Sequence, residues 1–175
     1  MKWLTNFFKS KLTDQEKHKL QFLVKNEVFQ RLNRHELILL LPLMYEREYN
    51  QNEVVFFRND PSMAVYILKE GTVEFFLDMN EKEEKLFEAR RGQVFGQNGA
   101  IEKSKRNYSA KVTSEAAKIY ALPQLALFDL MDKHPALKLK IKEAFLSYYA
   151  QYVSKIFKAY RLNNGFFEIN QIYQN

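Results

Sequence analysis

The chain has 175 residues, of which 46% are apolar and 15% aromatic, and this composition supplies one domain with a packed core. It contains no cysteine, which excludes disulfides, thiol catalysis and thiolate metal sites and makes a reducing cytoplasm the expected compartment. The net charge of +6 comes from basic residues on the two flanks of the chain, which we interpret as solvated helix surfaces rather than as a nucleic-acid site.

The first dozen residues have the pattern of an amphipathic helix. Five apolar residues share one helical face with three lysines beside it: Trp3, Leu4, Phe7, Phe8 and Leu12, with Lys2, Lys9 and Lys11. The pattern predicts a helix that docks on its own domain or on a second copy, and the alternative is a helix that lies on a membrane surface. No apolar run approaches the roughly 20 residues that cross a bilayer.

Two capping boxes predict the next helices. The first, Thr13–Glu16, predicts a helix to about Arg31. Its buried side is predicted to comprise Leu20, Leu23, Val24 and Val28. The second box, at residues 33–36, predicts a short helix that ends near Pro42.

From residue 45 to residue 122 the hydrophobic pattern changes to a period of two. Five apolar runs are separated by turn residues, at residues 54–57, 64–68, 73–77, 86–89 and 116–120. Short strands at this spacing predict an antiparallel barrel or sandwich. The charged stretch from Asp78 to Lys85 is predicted to be a hairpin loop, and Asn52 and Asn59 are predicted turn residues with positive φ.

The helical period returns after Pro123. It predicts a helix to about Lys133 and a second, long helix from Pro135 to Leu162, which residues 163–165 end. We therefore expect one domain over residues 1–160, with N-terminal helices in 1–44, a β-barrel in 45–122 and C-terminal helices in 123–162. Residues 163–175 are the predicted C-terminal tail.

Three glycine-marked segments carry a family resemblance. They are an apolar strand with a turn and the next strand (Val65–Glu74), a G-x-x-F-G motif (Arg91–Gln97) and a further strand (Ser109–Val112). In this order they resemble the cyclic-nucleotide-binding domain family, specifically the effector domain of catabolite-activator-like members without their DNA-binding domain. The resemblance implies an α+β fold, in which an antiparallel double-stranded β-helix, a jelly-roll-like barrel, is flanked by N- and C-terminal helices.

The resemblance also implies a nucleotide site. In the family, a short helix after the F-G motif turns backbone amides towards the cyclic phosphate, a Glu accepts from the ribose hydroxyl and an Arg pairs with the phosphate. The corresponding residues of this chain are Gly96, Gln97, Asn98, Gly99, Ala100, Arg106, Tyr108 and Ser109. The Glu position holds the neutral Gln97. Counting back from Ser109 places Tyr108 at the Arg position, and counting forward from Gly96 places Arg106 there; we favour Tyr108.

These departures predict a weakened phosphate site. Loss of a desolvated charge partner costs on the order of 2–5 kcal/mol, so cAMP or another cyclic nucleotide should bind weakly or not at all. Lys103, Lys105 and Arg106 are expected to form a solvated basic loop.

The long C-terminal helix carries two apolar stripes. One contains Leu137, Ile141, Ala144 and Tyr148, and the other contains Phe145, Tyr149, Tyr152 and Ile156. One stripe should pack on the barrel. The second favours self-association into a homodimer, and the resemblance implies a lid over the nucleotide as the alternative.

No motif predicts catalysis, a cofactor or a metal site. His18, His35 and His134 are scattered along the chain, and phosphate-loop and nucleophile-elbow motifs are missing. Only fifteen residues follow Tyr160, too few for a winged helix-turn-helix, so direct DNA binding by this chain is not expected. The prediction is a non-enzymatic sensor or regulatory module that acts on an unknown downstream protein. The alternatives are a ligand-free dimerisation module and a membrane-surface adaptor that uses its N-terminal helix.

Overall fold

The helices lie at both ends of the described chain, on either side of two β-sheets. The computed structural model describes residues 12–79 and 82–164. The helices are α1 (Asp14–Val24), α2 (Arg34–Leu40), α3 (Gln124–Lys133) and α4 (Pro135–Asn164). Two short 3-10 helices are also present, at Leu41–Leu43 and Gln97–Ala100. Both predicted capping boxes are formed, at Thr13 and at Asn33.

In the described part of the chain, eight strands form two antiparallel four-stranded sheets. They are β1 (Tyr45–Asn50), β2 (Val54–Phe56), β3 (Ala64–Glu70), β4 (Val73–Met79), β5 (Lys82–Ala89), β6 (Val94–Phe95), β7 (Ser109–Val112) and β8 (Ala116–Pro123). The strand orders are β1-β8-β3-β6 and β2-β7-β4-β5. Sequential strands alternate between the two sheets except for the β4–β5 hairpin, and the chain forms the jelly-roll-like barrel with flanking helices that the sequence predicts.

The side chains of β3 separate two hydrophobic clusters. Val65 and Ile67 point to a cluster that holds the helices against the sheet, whereas Tyr66 and Leu68 point to the interior between the two sheets. Successive residues of a strand face opposite sides, so one strand serves both clusters. The helices are therefore fixed to the outside of the barrel, and the interior between the sheets holds its own core.

The first helix ends earlier than predicted. It stops at Val24, whose side chain is exposed, and not near Arg31. Asn26 explains the end: its side-chain oxygen accepts from the Val28 amide at 3.0 Å, and its amide nitrogen donates to the Gly92 carbonyl at 2.8 Å. An Asn side chain that bonds the nearby backbone competes with the helical pattern, and here it also ties the chain to the barrel.

The charged hairpin contains more strand than predicted. The stretch from Asp78 to Lys85 was expected to be a loop, but β4 and β5 stay paired up to Met79 and Lys82. An ion pair between Lys111 and Glu83 joins this hairpin to the neighbouring β7. The exposed charged residues of this hairpin resemble a loop in the sequence, although their backbone is paired as β-strand.

The two asparagine turns are confirmed. Asn52 and Asn59 both have a φ of 68°, a region that Asn tolerates better than most residues. The predicted amphipathic segment before Leu12 lies outside the described residues. Across residues 12–79 and 82–164, no helix has both the length and the apolar content needed to cross a bilayer.

The Asn26→Ala variant should be less stable than the parent protein. The buried Val28 amide and the Gly92 carbonyl would lose their partners, and each unsatisfied buried group costs about 1–3 kcal/mol. Urea unfolding measures the difference. The matched control is Gln21→Ala on the exposed side of α1, which should stay within about 0.5 kcal/mol of the parent. Equal stability of the two variants would contradict the role of Asn26.

Candidate functional site

The segment between β6 and β7, residues 96–108, is called the cassette here. Its short helix, Gln97–Ala100, follows directly after Gly96, as predicted. Gly96 has a φ of 61°, in the left-handed region that glycine adopts most easily. A Cβ atom on Gly99 would lie 2.2 Å from the carbonyl oxygen of Ala64. The cassette helix therefore packs directly on the backbone of β3 and requires glycine at residue 99.

Tyr108 and Gln97 bond to each other inside the cassette. The Gly96 amide donates to the Tyr108 hydroxyl at 3.2 Å, and that hydroxyl donates to the Gln97 side-chain oxygen at 3.2 Å. Both side chains are buried. Gln97 and Tyr108 thus form a chain of hydrogen bonds with the first amide of the cassette.

The ring of Tyr108 is held by other aromatic rings. Its centroid lies 4.8 Å from that of Phe75, 5.8 Å from that of Phe56 and 5.9 Å from that of Phe87. Burial raises the pKa of the Tyr108 phenol to about 12. The hydroxyl is therefore neutral at physiological pH, and it acts as an acceptor and a donor at a fixed place.

Arg106 is a buried cation at the opposite side of the Gly96 backbone. Its Nη1 donates to the Gly96 carbonyl at 2.7 Å and its Nη2 to the Ala64 carbonyl at 2.8 Å. The guanidinium carbon lies 4.2 Å from the centre of the Phe56 ring and 5.3 Å from that of Tyr66. Burial lowers the pKa of the guanidinium, while the Tyr66 hydroxyl acts in the opposite direction. Arg106 therefore joins the cassette to β3.

The prediction of a solvated basic loop is wrong for Arg106, which is only 3% exposed. Lys103 and Lys105 are exposed, as expected. An isolated antiparallel bridge between Pro61 and Lys105 explains the difference. Because neighbouring residues of an extended segment face opposite sides, Lys105 points outwards and Arg106 inwards.

The other predicted site residues have different roles. Asn98 donates to the Lys105 carbonyl at 2.9 Å and so closes the loop of the cassette. Ala100 lies against the cluster that holds the helices. Ser109 is buried, and its hydroxyl accepts from the Arg58 amide at 2.9 Å, so it fixes the neighbouring loop rather than the cassette.

The inner face of α4 covers the cassette. The Tyr149 hydroxyl donates to the Asn98 side-chain oxygen at 3.2 Å, and the Tyr152 ring lies 5.5 Å from that of Phe87. Phe145 is buried, 6.3 Å from the ring of Phe29.

Self-association through the stripe that contains Phe145, Tyr149 and Tyr152, with a lid as its alternative, stays a prediction for these three side chains. They contact the protein's own barrel and helices, because this face of α4 is turned towards the cassette. Ile156 belongs to α4, but its side chain lies outside the described part of the structure.

Two further residues of the site were not predicted. The Tyr148 hydroxyl donates to the Val94 carbonyl at 2.7 Å, next to the cassette. Gln124 is buried at the start of α3, and its amide nitrogen donates to the carbonyls of Gly99 and Ile101. No sequence pattern marks Gln124, because its partners are backbone groups far away in the chain. In the described part of the chain, no cluster of three or more His, Asp or Glu residues has the arrangement of a metal site.

Comparison with known proteins decides the family. The model of the cyclic nucleotide-binding domain matches residues 46–134, just over half of the chain. The chain belongs to the cyclic nucleotide-binding domain family. The match contains both sheets, the cassette and α3.

Individual relatives of this domain are distant. A putative potassium channel protein of Rhodopseudomonas palustris is 26% identical over 116 residues, which are 66% of this chain and 28% of that protein. The chain thus spans little more than a quarter of that curated relative.

Solved structures share the fold. The catabolite activator protein of Thermus thermophilus has a TM-score of 0.66 at 21% identity, over 78% of this chain and 62% of that one. A cAMP-bound triple mutant of the regulatory subunit of a cAMP-independent protein kinase A from Trypanosoma brucei has a TM-score of 0.60. It is 19% identical, over 69% of this chain and 43% of that one.

The buried phenol of Tyr108 predicts a loss of stability in alkali. The folded protein keeps the phenol proton up to about pH 12, whereas the unfolded chain releases it near pH 10. The stabilisation is therefore complete below pH 10 and is lost as the pH rises towards 12, with a slope of up to about 1.4 kcal/mol per pH unit.

Urea unfolding between pH 9 and pH 11.5 measures this slope. The Tyr108→Phe variant should lose stability less steeply than the parent, and Tyr45→Phe, which removes an exposed phenol, is the matched control. Identical slopes for Tyr108→Phe and the parent would contradict a buried phenol at residue 108.

Proposed function

We propose that this chain is a non-enzymatic regulatory module of the cyclic nucleotide-binding family with a weakened phosphate site. One observation carries the proposal: the Gly96 amide, the Tyr108 hydroxyl and the Gln97 side chain are bonded to one another. A cyclic phosphate that approached this amide would have to displace the phenol. The ligand class is that of the family, cAMP or cGMP, and the compartment is the cytoplasm.

The charges around the cassette support the same conclusion. Gln97 and Tyr108 are neutral where the family resemblance places a carboxylate and a guanidinium. Arg106 supplies a cation, but both of its Nη groups already donate to the backbone carbonyls of Gly96 and Ala64. To pair with a phosphate, Arg106 would have to give up these bonds and its contact with the Phe56 ring.

A structural neighbour provides a precedent for the loss of nucleotide dependence. The Trypanosoma brucei structure is the regulatory subunit of a cAMP-independent protein kinase A, in a triple mutant with cAMP bound in its A site. The family fold therefore occurs in regulatory proteins that do not depend on cAMP, and a regulatory role for this chain does not require tight nucleotide binding.

The parent protein should bind cAMP at least tenfold more weakly than the double variant Gln97→Glu with Tyr108→Arg. The double variant supplies both charged groups, and a desolvated charge partner contributes on the order of 2–5 kcal/mol. Calorimetric titration with cAMP and cGMP measures the difference. The matched control makes the same two changes on the surface, Gln21→Glu with Tyr45→Arg, and should bind like the parent. Submicromolar binding by the parent would overturn the proposal.

The Arg106→Gln variant tests which residue would meet a phosphate. If the parent binds cAMP weakly and Arg106→Gln abolishes this binding with an unchanged unfolding temperature, Arg106 is the phosphate ligand. If binding is unchanged, Arg106 only holds the Gly96 and Ala64 carbonyls together, as its hydrogen bonds indicate.

The second candidate function is a dimerisation module, and the outer face of α4 supports it. Four apolar residues on this face are between 44% and 72% exposed: Leu139, Leu146, Val153 and Phe157. The first three are seven residues apart, and Phe157 follows one turn after Val153. Leu139, Leu146 and Val153 thus fill one of the two core positions of a coiled-coil heptad, and a second copy of α4 would bury the stripe. The homodimer is thus proposed through this face, and not through the face that carries Tyr149.

Sedimentation velocity at micromolar concentration tests the dimer. The parent should sediment as a dimer and Leu146→Glu as a monomer, because an unpaired charge in an apolar seam is costly. Gln151→Glu, which adds the same charge to an exposed residue outside the stripe, should leave the dimer intact. A monomeric parent protein would contradict this candidate without affecting the nucleotide proposal.

A further inference from the structure

A cavity of about 210 Å³ lies between α3, α4 and the end of the cassette helix. Three of its lining side chains are buried, Met131 on α3 and Ile141 and Phe145 on α4, and we call them the floor of the cavity. Two others reach the solvent, since Ile101 is 47% and Leu146 is 72% exposed. Protein interiors leave few voids larger than one water molecule, so an open apolar cavity of this size has room for a ligand.

Lys142 is the one charged residue among the described residues that line the cavity. Its nearest acidic neighbour on the page of contacts is Asp132, whose carboxylate is already paired with Lys138 at 2.7 Å. Lys138 and, more weakly, Lys142 lower the pKa of that carboxyl. Within the ranges that the structure describes, no carboxylate lies at ion-pair distance from Lys142, so its ammonium group can pair with a ligand.

The remaining polar side chain of the lining already has a partner. The Tyr149 hydroxyl donates to the Asn98 side-chain oxygen at 3.2 Å, outside the floor. The cavity therefore offers a ligand apolar surface and a single cation. A ligand with polar groups along its length would lose hydrogen bonds to water on the floor, whereas a neutral hydrocarbon would leave Lys142 without a partner.

The volume limits the size of the ligand. An apolar cavity of about 150 Å³ holds one benzene molecule, so roughly eight carbon atoms fit into this one. We infer that the cavity binds a small monocarboxylate of about eight carbon atoms, with its apolar chain on Met131 and Ile141 and its carboxylate paired with Lys142. This site goes beyond the proposed function, because it does not include the Gly96 amide.

Titration of the full chain with octanoate, without nucleotide, tests the site. The readout is the NMR methyl signals of Met131 and Ile141, because Leu146 also belongs to the exposed stripe of α4. Both signals should shift saturably, with a dissociation constant of about 1 mM or tighter. Absence of a saturable shift at a tenfold higher concentration, or larger shifts at Val153 and Phe157 in the stripe, would overturn the site.

The length of the carboxylate tests the volume. From butyrate to octanoate, each added methylene should tighten binding about fourfold, because it buries further apolar surface on the floor. Decanoate should gain nothing more, since its chain is longer than the cavity can hold. Binding that is independent of chain length, or that still tightens at decanoate, would contradict a cavity of this size as the site.

The Lys142→Gln variant tests the charge of the ligand. It should bind octanoate about threefold more weakly, as expected for the loss of an exposed ion pair, and should bind 1-octanol like the parent. The matched control is Lys155→Gln, which removes the same charge from an exposed residue of α4 outside the cavity and should change neither ligand. Equal effects of Lys142→Gln on octanoate and 1-octanol, or of the two variants on octanoate, would contradict the carboxylate.

The Ala100→Leu variant tests the location. It adds three carbon atoms to the lining and should abolish the binding of octanoate and of 1-octanol, whereas Ala150→Leu on an exposed part of α4 should not. If Ala100→Leu does not fold, Ile101→Glu takes its place, because that side chain is partly exposed and its charge should weaken octanoate more than 1-octanol. Unchanged octanoate binding in the variant that folds would overturn the site.

Discussion

The amide hydrogen of Gly96 is donated to the hydroxyl of Tyr108, and the folded cassette depends on this bond. A buried amide without a partner is costly, so the start of the cassette requires an acceptor. In a phosphate-binding member of the family the ligand oxygen can be that acceptor. Here the phenol oxygen is that acceptor, the Gln97 side-chain oxygen accepts a hydrogen bond from the phenol, and Arg106 donates to the Gly96 carbonyl. Both backbone groups of Gly96 are therefore satisfied by the chain itself.

The buried cation of Arg106 is tolerated for a related reason. A guanidinium in an apolar interior needs acceptors for its N–H groups and a surface that favours its charge. The carbonyls of Gly96 and Ala64 accept from the two Nη groups, whereas the buried Nε has no hydrogen-bond partner. The faces of Phe56 and Tyr66 favour the charge. The centroids of the Phe56 and Tyr66 rings are 5.7 Å apart, and the Phe56 ring also contacts the Tyr108 ring. The cation and the phenol therefore contact the same aromatic core. The aromatic richness of the sequence thus serves the cassette as well as the barrel.

Sequence patterns predicted the structural features that depend only on neighbouring residues in the chain. The two capping boxes, the asparagine turns and the strand periods depend on neighbours in the chain, and the structure contains all of them. The early end of α1 depends on the Gly92 carbonyl, 66 residues away from Asn26, and no pattern around Val24 reveals it. The burial of Arg106 depends in the same way on its pairing with the segment near Pro61. The sequence placed Gln97, Tyr108 and Ser109 in one candidate site, but it could not predict that Gln97 and Tyr108 bond to each other or that Ser109 bonds the Arg58 amide.

The sequence also could not predict which face of α4 packs on its own domain, and the arrangement of these faces relates the candidate functions to one another. A helix that carries apolar residues on more than one face does not reveal which face meets its own domain. The structure turns the tyrosines inwards and leaves Leu146 and Val153 exposed on the other side. Because one rigid helix carries both faces, any partner that binds the outer stripe near Val153 sits one turn from Tyr149. Binding there changes the contact with Asn98 only if the partner binds more tightly to one of two positions of α4, and assembly is coupled to the cassette in that case alone.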